Sequence, residues 1–90
     1  MNFIATIAIN RKNGVADPEG NTILEALQRL SYCNVKFVKA AKLFKVGIEG
    51  DEENSVRKTL EEISQRILSN PIIENFEIIS IDTIKSAGKK

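Results

Sequence analysis

The sequence predicts a two-layer α+β sandwich of element order βαββαβ, a four-stranded antiparallel sheet with two helices on one face. Three observations lead there: strict alternation in residues 2 to 10, two separate segments with apolar residues at helical spacing, and further β-rich alternation between and after them. Ninety residues, 42% hydrophobic and 28% charged, suit one small soluble domain at residues 1–84, with residues 85–90 as a frayed tail. A compact chain of 10.0 kDa exposes about 5,200 Å² and buries about 64% of its unfolded surface, so one modest core is all that fits.

The first strand places Phe3, Ala5, Ile7 and Ile9 on one face and Ile4, Thr6, Ala8 and Asn10 on the other. Asp17 is placed to cap a helix that has Pro18 at its first position and carries Ile23, Leu24, Leu27 and Leu30 on one side, to about Ser31. Asn34 opens a second β-rich stretch through Val35, Phe37 and Val38. Residues Lys39 to Lys42 read as a hairpin connection into Phe44, Val46 and Ile48. Gly50 and Asp51 end that strand and cap the next helix, whose stripe is Val56, Leu60, Ile63 and Ile67 and which Asn70 and Pro71 stop. Ile72 to about Ile81 is the last strand. This order is the ferredoxin-like split βαβ plan, in which right-handed crossovers put both helices on the same side of the sheet.

The opposite face is then bare yet still partly apolar, because no third layer remains in the chain to cover it. Sheet-mediated homodimerisation is the expected remedy. Thirteen basic and twelve acidic residues leave a net charge of +1, with no electrostatic footprint for nucleic acid. No apolar run approaches membrane length and no leader is visible, so the expectation is a cytoplasmic protein without membrane contact.

Histidine is absent and Cys33 is the only cysteine, which removes histidine-activated nucleophiles, intrachain disulfides and cysteine or histidine metal clusters. Cys33 reads as a small, half-buried apolar residue. Neither phosphate-loop spacing occurs around Gly14 and Gly20. Glu61, Glu62, Glu49 and Asp51 lack an apolar pocket to raise a carboxylate pKa, and read as solvated charges. Lys36, Lys39, Lys42 and Lys45 with Phe37 and Phe44 resemble an RNA-binding sheet only in part, since Phe44 shares its face with Val46 and Ile48 and belongs to the core.

The loop from Lys12 to Gly20 carries more glycine than a capped turn requires. Gly20 lies in the first helical turn, where it costs up to ~1 kcal/mol relative to alanine, so another backbone is expected to approach it closely. Together, Lys12, Gly14, Val15, Asp17, Pro18 and Gly20, then Ala26, Leu27 and Leu30, then Lys42, and finally Asn70, Pro71, Ile73 and Glu74 resemble the PurS family, the small subunit of phosphoribosylformylglycinamidine synthase. The resemblance runs from about residue 3 to residue 82. Two positions depart from the family pattern: Ser31 and Ala41 stand at turns where it usually has glycine.

That resemblance implies a non-catalytic scaffold in an ATP-dependent amidotransferase complex of de novo purine synthesis. It bridges a glutaminase subunit and a large synthetase subunit, which uses ATP and magnesium, and assists ammonia transfer between them. It also implies a homodimer or tetramer that itself binds no cofactor. The residues expected at partner contacts are Lys12, Asn13, Gly14, Asp17, Gly20, Lys42, Asn70, Pro71 and Glu74, with Lys12 and Lys42 making charge-assisted contacts. The rival reading is a small-molecule-sensing regulatory module of similar plan.

Overall fold

The computed structural model describes residues 1–84; the predicted tail, residues 85–90, lies outside the described residues. Strand β1 (Asn2–Arg11) leads through a loop to helix α1 (Pro18–Arg29), and β2 (Ala41–Glu49) follows. Helix α2 (Glu53–Ile63) continues into a five-residue π-helical turn (Ser64–Leu68) before β3 (Glu74–Ile84). The sheet order is β2-β1-β3, with both pairs antiparallel. The first strand is thus the central one, which explains its alternation: Phe3, Ala5, Ile7 and Ile9 are buried, while Ile4, Thr6 and Ala8 on the outer face are only half-buried.

The expected four-stranded sheet is corrected here to three strands. Residues 34–40 belong to no strand, and no hairpin forms between Lys39 and Lys42. A two-residue hairpin turn needs left-handed backbone at its centre, normally glycine, asparagine or aspartate. The sequence there is Lys39, Ala40, Ala41, Lys42, and the positive-φ positions among the described residues are Gly14 and Ser31. The chain therefore enters β2 without turning back.

The expectation of two helices on the sheet also needs correction. Val56 and Leu60 of α2 close the core over β1, with Phe44, Val46, Ile48, Leu68, Phe76, Ile78 and Ile81 packed around it. Helix α1 makes no extensive contact with the sheet, and Ile23 and Leu30 on its apolar side are 44% and 67% exposed. The radius of gyration, 17.0 Å, far exceeds the roughly 12 Å of a compact chain this long.

Local chemistry accounts for the other departures. Helix α2 has Glu52 rather than Asp51 as its N-cap, with no side-chain capping bond. The π turn lengthens the repeat after Ile63, so Ser64 is buried and Leu68 packs on the core, while Ile67, expected in the stripe, is 76% exposed. Cys33 is exposed, because the segment that holds it leaves the sheet. The last strand begins at Glu74 instead of Ile72, since residues 70–74 are taken up in a turn.

At the end of α1, Ser31 occupies the left-handed region at φ 76°, the conformation that glycine adopts without penalty. Its amide donates to Gln28 O and that of Tyr32 to Leu27 O, both at 3.0 Å, which is the Schellman arrangement. Ser31→Gly relieves the left-handed strain and is expected to raise stability by up to about 1 kcal/mol. Ser64 Oγ, buried without a hydrogen-bond partner, makes Ser64→Ala a second stabilising change of up to about 1 kcal/mol. Urea unfolding midpoints read both, and a drop in either midpoint contradicts the corresponding account.

Candidate functional site

All nine residues expected at partner contacts converge on one end of the molecule, where β1 ends, β2 and β3 begin and α1 departs. The loop after β1 turns at residues 12–15, where Val15 N–H donates to Lys12 O at 3.2 Å and Gly14 takes φ 86°, as the third residue of a type II turn does. The Lys12 amide donates to Ile73 O at 2.8 Å, which ties this loop to the turn that precedes β3.

Asp17 is the hub of the first loop. Its Oδ1 accepts from the Gly20 amide at 3.1 Å, capping α1, and from Arg11 Nη1 at 3.0 Å. Its Oδ2 accepts from the Ala40 amide at 2.9 Å, across 23 residues of chain. The bonds from the Ala40 and Gly20 amides, aided by Arg11 and Lys39, hold the Asp17 carboxyl below its usual pKa, against an opposing push from burial. Gly20 is buried, and a Cβ there would fall on the Val38 carbonyl oxygen and lie 2.6 Å from Asp17 Oδ2. The close backbone approach expected of this glycine is real, and it comes from the chain's own residue 38.

Glu74 is the second hub. Its Oε1 accepts from the Asn70 amide at 2.7 Å, while its own amide donates to Asn70 O at 2.7 Å. Asn70 Oδ1 accepts from the Ile72 amide at 3.2 Å, and Pro71 sits exposed at the turn's tip. Lys42 Nζ stands 3.9 Å from Glu74 Oε2, a long ion pair whose lysine side chain is 63% exposed. Asp17, Gly20, Asn70 and Glu74 are thus engaged within the chain, whereas Asn13, Lys42 and Pro71 face solvent.

A shallow concavity runs between Lys12, Asn13, Asp17 and Lys39, and a second separates Lys12 from Ser69, Pro71 and Glu74. Among the described residues, no group of three metal-ligating side chains is present, and no helix is long and apolar enough to cross a membrane. Arg11 and the Val38 carbonyl escaped sequence reasoning, because a strand-end arginine and a loop carbonyl carry no pattern of their own. The spare glycine at position 20 was the one clue to the latter.

A β1-centred antiparallel sheet with a polar end built from three chain segments defines a small α+β domain whose distinctive surface is that end. Residues 4–81 match the family model of PurS, phosphoribosylformylglycinamidine (FGAM) synthase, so the chain belongs to the PurS family. The PurS subunit of Methanocaldococcus jannaschii is 42% identical over 76 residues, covering 84% of this chain and 92% of its own length. Its crystal structure superposes with a TM-score of 0.79, covering 92% of this chain and 99% of the other at 37% identity. Thermus thermophilus PurS, 20% identical, shares the fold with a TM-score of 0.84 over 94% of this chain and 100% of its own. A chain in the structure of Thermotoga maritima PurLQS, 21% identical, does so with 0.79 over 93% and 99%. The chain is accordingly a PurS-type subunit of FGAM synthase, a ligase of purine biosynthesis.

Asp17 predicts a pH signature. Its native pKa lies below the unfolded value of about 3.9, so its contribution is fully present above that value and is lost as pH falls through the native pKa. The stability difference between the parent and Asp17→Asn is expected to be constant from pH 7 to 5 and to shrink below pH 4. Urea midpoints across that range check it, and a difference independent of pH contradicts it.

Proposed function

We propose that this subunit is a scaffold that bridges the glutaminase and the ATP-dependent synthetase subunits of FGAM synthase and helps ammonia pass between them. The observation that carries the reading is the gathering of the Lys12 loop, Lys42 and the Asn70 to Glu74 turn at one end of the sheet. There the backbone is tied internally, and Lys42 is left largely to solvent beside Glu74. The similar Thermotoga maritima chain belongs to a structure of PurLQS, which supports assembly with further subunits.

A scaffold is chemically useful here because ammonia released into bulk water is diluted and protonated, and only the neutral form is a nucleophile. Holding two catalytic subunits in register keeps the transfer short and enclosed. ATP and magnesium belong, in this reading, to the synthetase, and the complex works in the cytoplasm. The chain itself self-associates into a homodimer or a pair of homodimers. Its contacts with the catalytic subunits run through Lys12, Asn13, Gly14, Lys42 and Pro71, with Asp17, Gly20, Asn70 and Glu74 shaping the backbone beneath them.

Reconstitution separates bridging from other roles. Adding this chain to the two catalytic subunits is expected to raise glutamine-driven synthesis strongly while changing ammonia-driven synthesis little. The double variant Lys12→Ala, Lys42→Ala is expected to lose several-fold of the glutamine-driven gain with its unfolding midpoint preserved. Glutamine-driven turnover that does not depend on the chain refutes the bridge; full activity of the double variant refutes these two contacts.

A further inference from the structure

We infer that the hollow beside the first loop receives one carboxylate side chain, an aspartate or a glutamate, from a catalytic subunit. The inference rests on the bridging role proposed above and names the chemistry of one contact within it. The hollow is lined by residues 10–15, Asp17, Lys39 and Ala40, so it lies where β1 ends and the chain comes back to enter β2. Three cations, Arg11, Lys12 and Lys39, stand around it against the single carboxylate of Asp17. That local excess of positive charge is larger than the +1 of the whole chain, so it belongs to this corner and not to the surface at large.

The one acid of the hollow is already engaged. Asp17 Oδ1 accepts from Arg11 Nη1 and from the Gly20 amide, and Oδ2 accepts from the Ala40 amide. Arg11 gives Asp17 a single bond from a guanidinium that carries five N–H donors. Lys12 and Lys39 form no ion pair among the described residues. The Lys39 ammonium lies 5.6 Å from the centre of the Phe37 ring, a contact that leaves its charge in place. The charged side chains around the hollow therefore offer donors and lack an acceptor, and an anion is the complementary guest.

Space decides what kind of anion. The hollow measures about 110 Å³. Pockets that enclose drug-sized ligands run to roughly 300–1,000 Å³, and a benzene ring occupies a cavity of ~150 Å³. A nucleotide does not fit, whereas a carboxylate on one or two methylene groups does. A free carboxylate gains little here, because exposed ion pairs are individually weak. One carried on a protein surface is held in place by the rest of the interface, and there a charge pair fixes register and speeds encounter.

The lining suits such a guest. Gly14 borders the hollow, exposed and in the left-handed conformation, with nothing within 4 Å of the place a Cβ would take. Another backbone can therefore come close. Lys42 does not line the hollow and stands beside Glu74 instead. Arg11 and Lys39 thus extend the contact set beyond Lys12, and Lys39 is the one to test, since Arg11 also holds the Asp17 knot.

The test titrates full-length Lys39→Met, Lys39→Glu and Lys39→Arg against the reconstituted catalytic subunits by calorimetry at several salt concentrations, with unfolding midpoints taken in parallel. Lys58→Glu, at an exposed position of α2, matches the net-charge change of Lys39→Glu. Lys39→Met is expected to weaken assembly several-fold and flatten its salt dependence, and Lys39→Glu to weaken it about tenfold or more. Lys39→Arg and Lys58→Glu are expected to bind as the parent does. Parental binding by Lys39→Glu, or an equal loss in Lys58→Glu, overturns the contact and leaves the bridge standing. If glutamine-driven synthesis ignores the parent chain while Lys39 still governs binding, the bridge falls and the contact stands. A parent chain that binds neither catalytic subunit overturns both. Saturation of the free chain by micromolar inorganic phosphate but not by acetate, followed through the Asn13 and Gly14 amide shifts, assigns the hollow to a free anion and overturns the partner carboxylate.

Discussion

One carboxylate holds the architecture at its corner. Asp17 receives hydrogen bonds from the start of α1, from the residue before β2 and from the last residue of β1, so three parts of the chain meet on two oxygens. Each bond is charge-assisted, and a carboxylate is the side chain that can accept all three at once. Gly20 lets the helix come down onto residue 38, and Gly14 lets the loop turn in time to deliver Asp17. The direction in which α1 leaves the sheet follows from this knot.

That direction sets everything else about the surface. With α1 turned away, α2 alone covers the sheet, and it suffices for β1 and β3 but leaves the β2 side thin. The π turn adds a local adjustment, moving Leu68 inward and Ile67 outward so that the chain reaches the Asn70 turn. Glu74 closes that turn and reaches across β1 to Lys42, so the polar end is built from three segments far apart in sequence. Hydrogen bonds between those segments tie the end together from within the chain.

Much of this was legible in the residues. The alternation around Ile7, the cap at Asp17 and the stop at Asn70 and Pro71 are local signals, and the structure places them where local chemistry puts them. Gly20 was legible as a close approach, though its partner was not, because a carbonyl at residue 38 has no sequence signature. The fourth strand was misplaced for a related reason. Strand propensity at Val35, Phe37 and Val38 describes a segment ready to pair, while whether a partner is present depends on where the chain comes back.

The sequence alone determined the family and the type of each element that formed, because these depend on residue identity and on periods of two or 3.6. Only the tertiary structure decided that the sheet has three strands and that α1 stands apart from it. Those outcomes turn on long-range contacts, chiefly Asp17 with Ala40 and Gly20 with Val38, whose energies are set by the meeting of distant segments and leave no periodic trace in either one.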